Sequence, residues 1–173
     1  MQFGTPSSNE LIFVARVDAV GSPAPATEKQ MQELVRYLEA ASRSNQKKSV
    51  LSRTPVMMQQ YAVHYAVLAK QLNLTAGQDS IYRPKLTFAE LAFDGDGATL
   101  TGLQTTIEDA IPASRLAAVE RDGYRIAQTV FVPVNAAVLR LGVQDGRTNR
   151  IGSMEVRLPL PPSQGDMAAP ASD

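Results

Sequence analysis

The chain has 173 residues, a length that fits one domain, and 44% of them are hydrophobic, which is enough to form a core. Seventeen Lys and Arg residues balance seventeen Asp and Glu residues, so charge favours neither nucleic acid nor an anionic membrane as the main partner. The absence of cysteine excludes disulfides, thiol nucleophiles and thiolate metal sites.

The beginning of the chain predicts a flexible segment followed by a strand. Residues 1–10 lack the cationic and apolar regions of a signal peptide. Residues 11–17 alternate between two faces, which predicts a β-strand, and their apolar run is far too short to span a bilayer. The two prolines within residues 21–25 are expected to end this strand, because proline cannot donate to a β-ladder. We therefore expect no membrane insertion.

A helix is predicted near residues 28–43. Thr27 and Gln30 match the capping box, in which each side chain satisfies a backbone N–H near the start of the helix. Apolar residues at helical spacing form one stripe, expected to pack on a sheet: Met31, Leu34, Val35, Leu38 and Ala41. The polar, basic residues 42–53 predict a solvated loop.

Alternating hydrophobicity predicts six further strands, which cover residues 61–67, 86–93, 98–107, 124–132, 138–143 and 151–160. A second, short helix is predicted near residues 112–121, with Asp109 as its cap and Gly123 just past its end. About seven strands with two helical excursions predict a mostly β fold, an antiparallel β-sandwich of the immunoglobulin or fibronectin type III kind, over residues 11–160. Residues 161–173 are rich in Pro, Ser, Gly and Ala and predict a disordered tail.

No set of reactive side chains points to an enzyme. The single histidine, His64, lies in the middle of a strand, and no Gly-x-Ser-x-Gly motif is present to partner it. Glu108 and Asp109 are neighbours on a strand, so their carboxylates point to opposite faces. One histidine without cysteine leaves too few ligands for zinc, and the glycines match neither a phosphate loop nor a dinucleotide fingerprint. We therefore expect no catalytic residues and no cofactor.

Two kinds of ligand stay open as alternatives. Asp94 and Asp96 place two carboxylates on one hairpin turn and form a candidate calcium site, although Thr105 stands at the twelfth loop position, where an acid would be expected. A carbohydrate site would need exposed aromatic rings. Aromatic residues make up only 6% of the chain, and those on the predicted strands occupy core-like positions: Tyr61, Tyr65, Phe88 and Phe93.

The C-terminal third carries a recognisable pattern. Residues 132–145 resemble Leu-Pro-Pro-Gly-x-Tyr-x-Leu-Arg-Val-x-Val-x-Asp, and residues 146–153 resemble the Gly-Arg-x-Gly-Ser stretch that follows it. Upstream segments agree in the same order, at residues 9–17, 61–67 and 86–97. The chain thus resembles the region after the A domain in acidobacterial-type von Willebrand factor A-related proteins, with Asn135 in place of that family's Gly and Ala137 in place of its Tyr.

This resemblance implies the C-terminal sandwich of a larger secreted or periplasmic protein. The Asp-x-Ser-x-Ser metal pattern of the A domain is absent from the sequence, so the adhesion chemistry of that domain does not carry over.

Together these observations predict a non-enzymatic structural or protein-interaction module with a protein as its partner. An exposed sheet edge or the first helix would supply the binding surface, and the sequence does not choose between them. A ligand-binding module for carbohydrate or calcium is the alternative. An enzyme would require His64 to meet a serine and an acid in a deep cleft. The sequence leaves the oligomeric state open.

Overall fold

The computed structural model describes residues 10–43, 56–72, 74, 77 and 80–160. Within these residues the strands are, in chain order, β1 (Phe13–Pro25), β2 (Met57–Val67), β3 (Ile81–Tyr82), β4 (Lys85–Phe93), β5 (Thr99–Glu108), β6 (Ile111–Pro112), β7 (Tyr124–Pro133), β8 (Val138–Asp145) and β9 (Ile151–Arg157). The two α-helices are α1 (Glu28–Arg43) and α2 (Ala113–Asp122). The predicted tail and most of the predicted flexible segment and basic loop lie outside the described residues.

The seven longer strands form two antiparallel sheets that pack face to face. One sheet has the order β1-β2-β7 and the other the order β5-β4-β8-β9, while β3 and β6 pair separately. Buried side chains of both sheets share one core, in which the ring centroids of Tyr65 on β2 and Phe88 on β4 are 4.9 Å apart. The prediction of a mostly β, antiparallel sandwich with two helices is confirmed for the described residues. The immunoglobulin or fibronectin type III kind stays a prediction.

Alternation along the central strands decides which side chains form the core. Every second side chain of β4 between Leu86 and Ala92 is buried, and the residues between them are half-buried. In β8 the same period buries Leu139, Leu141 and Val143 almost completely. Each such side chain contributes about 1.5–3 kcal/mol when it leaves water, so these two strands anchor the sandwich.

The first strand continues through the segment that was expected to end it. β1 keeps its pairing with β2 as far as Pro25, which lies opposite Met57, and it passes a bulge between Val20 and Ala24. Gly21 supplies the positive φ of +64° at this bulge. The expectation that the two prolines end the strand is wrong, because β1 lies at the edge of its sheet and proline is tolerated on an edge strand.

Helix α1 begins with the predicted capping box. The Thr27 N–H donates to Oε1 of Gln30 at 2.8 Å, and the Gln30 N–H donates to Oγ1 of Thr27 at 3.3 Å. Leu34 is the residue of this helix that is buried most deeply among those whose side chains are described, whereas Val35 of the predicted stripe is 40% exposed. Helix α1 lies against β5, where the Tyr37 ring occupies the space beside Gly102.

Removing one half of this capping box is expected to weaken the start of α1. The substitution Thr27→Ala should lower the free energy of unfolding by about 1 kcal/mol, because the Gln30 N–H loses its acceptor. Denaturant unfolding followed by circular dichroism measures the change. Gln32→Ala, an exposed position in the same helix, is the control and should leave the stability nearly unchanged. Equal stabilities of the Thr27→Ala variant and the wild type would contradict this account.

Helix α2 begins one residue later than predicted and without its predicted cap. Pro112 is the N-cap residue, and no side chain bonds to the first turn. Asp109 instead accepts hydrogen bonds from the Ala110 N–H and, at 3.3 Å, from the Tyr124 hydroxyl. The helix ends as expected at Gly123, whose φ is +78° and whose N–H donates to the Val119 carbonyl. Neither described helix is long and apolar enough to span a membrane.

The chain enters β1 by crossing from one sheet to the other. Glu10 forms a parallel bridge with Ile151 of β9, and the Leu11 N–H donates to the Ile151 carbonyl at 3.1 Å. Two residues later the chain pairs with β2 in the opposite sheet. This crossing closes one corner of the sandwich and buries Leu11. Glu10 therefore has a defined place, although it falls within the segment that was predicted to be flexible.

Candidate interaction surface

The candidate calcium turn joins β4 to β5, and its first carboxylate is engaged with the backbone. Oδ1 of Asp94 accepts hydrogen bonds from the N–H groups of Asp96 and Ala98 at 3.0 and 2.8 Å. Asp96 is exposed at the tip of the turn. Over the described part of the chain, no group of three or more His, Asp or Glu side chains converges in a way that could hold a metal ion. The hydrogen bonds of Asp94 hold the hairpin in its tight turn.

The single histidine lies on the surface of a sheet. His64 points away from the core between Ala62 and Ala66, and nearly half of its side chain is exposed. Its Nε2 is 3.8 Å from Oδ2 of Asp18, which also accepts a hydrogen bond from Arg16 at 2.8 Å. The predicted position of this histidine in the middle of a strand is confirmed.

The strand aromatics divide between the core and the surface. Tyr61, Tyr65 and Phe88 are buried, as their positions in the alternation predicted. The core-like interpretation is wrong for Phe93, which lies half-buried on the outer face of the second sheet. The guanidinium carbon of Arg140 is 4.9 Å from the centroid of the Phe93 ring, so a cation–π contact covers this ring.

A buried acid lies between the two sheets and was not singled out in the sequence. Glu90 is 1% exposed, and its Oε1 accepts a hydrogen bond of 2.6 Å from the Tyr65 hydroxyl. Its Oε2 makes no hydrogen bond with the described residues. Burial raises the pKa of the Glu90 carboxyl, and the hydrogen bond from Tyr65 only partly opposes that shift. The sequence signal was an acid in register with the buried residues Leu86 and Phe88.

The first of the two predicted binding surfaces, helix α1, is used within the fold. Its buried Leu34 lines one small cavity together with Thr101 and Leu103 of β5 and Val130 of β7. Helix α1 therefore covers the side of the sandwich where β5 and β7 approach each other. The second predicted surface, a sheet edge, is the one that the structure leaves open.

The outward-facing side of the β1-β2-β7 sheet combines exposed apolar side chains, charged side chains and small alanines. We call this surface the outer face. It contains a shallow depression of about 530 Å³ between Val14, His64 and Arg125. Two alanines on this face, Ala66 and Ala127, are among the residues that line it. Val14 is 66% exposed, the largest value among the exposed large hydrophobic residues that are described. Val20 and Phe131 are also exposed on this face, at 39% and 40%.

The outer edge of β1 carries unpaired backbone groups. The Leu68 N–H donates to the Ile12 carbonyl, so even-numbered residues of β1 turn their backbone groups toward β2. Odd-numbered residues turn theirs the other way, as the bond from the Leu11 N–H to β9 shows. Within the described residues, β1 pairs only with β2, so the N–H and C=O groups of Ala15, Val17 and Ala19 face outward along a free edge.

Half of this edge lacks the usual protection against strand pairing. Natural proteins protect free edges with prolines, bulges and charges. In β1 the bulge and both prolines lie within residues 21–25, whereas residues 14–20 have neither and are protected only by the charges of Arg16 and Asp18. The edge of β9 differs, because the Glu10 crossing occupies its beginning.

Comparisons with known proteins leave the family open. No protein-family model matches the chain, and no curated protein matches it. Among solved structures, the X-ray structure of Northeast Structural Genomics Consortium target SoR45 is similar over 95% of this chain and 96% of that one, at 9% sequence identity and a TM-score of 0.39. A likeness of this size supports no argument about fold or function.

Proposed function

We propose that this chain is a non-enzymatic protein-interaction module that binds an extended strand of a protein along the free edge of β1. The observation that carries the proposal is the row of outward-facing backbone groups at Ala15, Val17 and Ala19. An added strand would form main-chain hydrogen bonds with this row, and neighbouring side chains would supply specificity.

The chemistry of the outer face supports a protein partner. Exposed Val14, Val20 and Phe131 offer apolar contact area, and burying such side chains is a main source of association free energy. Arg16 and Asp18 add one charge of each sign beside the edge. Elsewhere on the described surface, exposed charges form pairs such as Arg140 with Glu155.

The proposal extends to the setting of the module. On the resemblance of its sequence, we place the module at the C-terminal end of a larger extracytoplasmic protein related to von Willebrand factor A. The reading frame upstream of Met1 tests this setting. An A domain and a signal peptide encoded there would support it, and an unrelated upstream gene in another frame would contradict it.

Photo-crosslinking from the outer face tests the interaction. A photoreactive amino acid in place of Val14 is expected to form adducts with a protein in the native cells, because this side chain lies beside the free edge. The same amino acid in place of Glu120, an exposed residue of α2, is the matched control. Mass spectrometry identifies the adducts, and the substitution Ala19→Pro should abolish them by removing an outward N–H donor. Equal labelling from both positions, or labelling that Ala19→Pro leaves unchanged, would contradict the proposal.

A further inference from the structure

The exposed part of β1 has a sequence that is complementary to itself. Residues 14–20 read Val-Ala-Arg-Val-Asp-Ala-Val. In reverse order the segment is Val-Ala-Asp-Val-Arg-Ala-Val. Reversal therefore leaves the small and apolar residues in place and exchanges Arg and Asp on the two sides of Val17. An antiparallel pair of two identical strands centred on Val17 therefore places Arg16 of each copy opposite Asp18 of the other.

We propose that the partner at this edge is a second copy of the chain, joined by a two-fold antiparallel pairing of β1 centred on Val17. The proposal rests on the proposed function and names its partner. The two three-stranded sheets would become one continuous sheet of order β7-β2-β1-β1-β2-β7. Such an interface is isologous, the kind that closes a symmetric dimer.

The direction of the backbone groups agrees with this register. A pairing centred on Val17 sets odd-numbered residues opposite odd-numbered residues, with Ala15 facing Ala19 of the second copy. These are the residues whose N–H and C=O groups point outward from the free edge. In an antiparallel ladder such residues form the hydrogen-bonded pairs. A register shifted by one residue would face Val17 with Asp18 and lose the match of charges.

The side chains of the outer face agree with the same register. Even-numbered residues occupy the non-hydrogen-bonded positions, where facing Cα atoms are about 4.5 Å apart and side chains are close. Arg16 and Asp18, which bond each other at 2.8 Å within one chain, could then pair between chains. Val14 and Val20, 66% and 39% exposed, would face each other and lose contact with water.

The sequences of residues 1–9 and 161–173 lack the pattern of a strand that could add to this edge. Residues 1–9 contain only two large apolar residues, Met1 and Phe3, and residues 161–173 contain three prolines and one glycine. Neither segment has the alternation that a strand beside β1 would need. A second copy supplies that alternation in full.

Charge reversal tests the pairing. Sedimentation velocity should show a reversible dimer for the wild type. The substitutions Arg16→Asp and Asp18→Arg should each weaken self-association by about tenfold or more, because both facing pairs then carry like charges. An equimolar mixture of the two variants should form a heterodimer, since each Asp then faces an Arg. The double variant R16D/D18R should self-associate as the wild type does.

Two further samples separate the possible outcomes. Glu120→Arg reverses an exposed charge on α2, outside the outer face, and it should leave self-association unchanged. Circular dichroism verifies that each variant is folded. A monomeric wild type at about 100 µM, or single variants that fail to pair with each other, would overturn the second copy as partner. If crosslinks from position 14 then identify another protein, the proposed function stands while this inference fails.

Discussion

Replacing Glu90 with glutamine is expected to remove a loss of stability that the wild type shows as pH rises. The folded protein holds this carboxyl between its sheets, with only the Tyr65 hydroxyl as a donor, and burial raises its pKa. In the unfolded chain a glutamate has a pKa of about 4.3. The folded state therefore binds more protons than the unfolded state once the pH exceeds this value.

The sign of the effect follows from proton linkage. When the folded state binds the additional proton, the free energy of unfolding falls as pH increases. The fall begins near pH 4.3 and continues until the pH passes the raised pKa of the folded state, and it amounts to at most about 1.4 kcal/mol per pH unit. Below pH 4.3 the carboxyl is protonated in both states and contributes no pH dependence.

Denaturant unfolding at several pH values between 4 and 8 measures this effect. The stability difference between Glu90→Gln and the wild type should grow in favour of the variant as pH increases, because glutamine does not titrate. Glu120→Gln, which changes an exposed glutamate of α2, is the control and should follow the wild type. A constant difference between Glu90→Gln and the wild type across this range would contradict a raised pKa of Glu90 in the folded protein.

Replacing Gly152 with alanine is expected to displace the crossing at the start of β1. A Cβ at this position would overlap the Leu11 carbonyl oxygen and would also press on the Phe13 ring. Overpacking of this kind costs about 1–3 kcal/mol, and loss of Leu11 from the core would add about 2 kcal/mol. Thermal unfolding should therefore show a clear decrease in Tm.

Hydrogen exchange locates the damage. The Leu11 amide donates to the Ile151 carbonyl, and its protection should fall in Gly152→Ala far more than the protection of amides in β4 or β8. Gly95→Ala is the matched control, because no heavy atom lies within 4 Å of a Cβ built at that glycine. Unchanged Leu11 protection in Gly152→Ala would mean that the crossing can shift without cost.

The sequence predicted the elements that depend on neighbouring residues. Alternation identified β4 and β8 because successive side chains of a strand point to opposite faces. A buried face and an exposed face therefore appear in the sequence as alternating apolar and polar residues. The capping box at Thr27 and Gln30 was predicted because its two hydrogen bonds join residues three apart in the chain. The end of α2 at Gly123 was predicted for a similar reason, since a glycine readily adopts positive φ.

The sequence did not predict the features that depend on which strands become neighbours. β1 continues through Pro23 and Pro25 because it lies at a sheet edge. An edge strand has no neighbour on its outer side, so a proline whose nitrogen faces outward removes no hydrogen bond from the sheet. Asp109 turned toward Tyr124 instead of capping α2, since strand β7 places that hydroxyl beside it.

The amino-acid sequence by itself determined the alternating pattern of the strands, the turns and the start of the first helix. Its balance of charge and its lack of cysteine restricted the chemistry of the protein. Only the tertiary structure decided that Glu90 is enclosed opposite Tyr65 and that residues 14–20 lie along a free edge. The reason is physical: local hydrogen bonds and alternation are written in adjacent residues, whereas burial and edge position arise from the pairing of segments far apart in the chain.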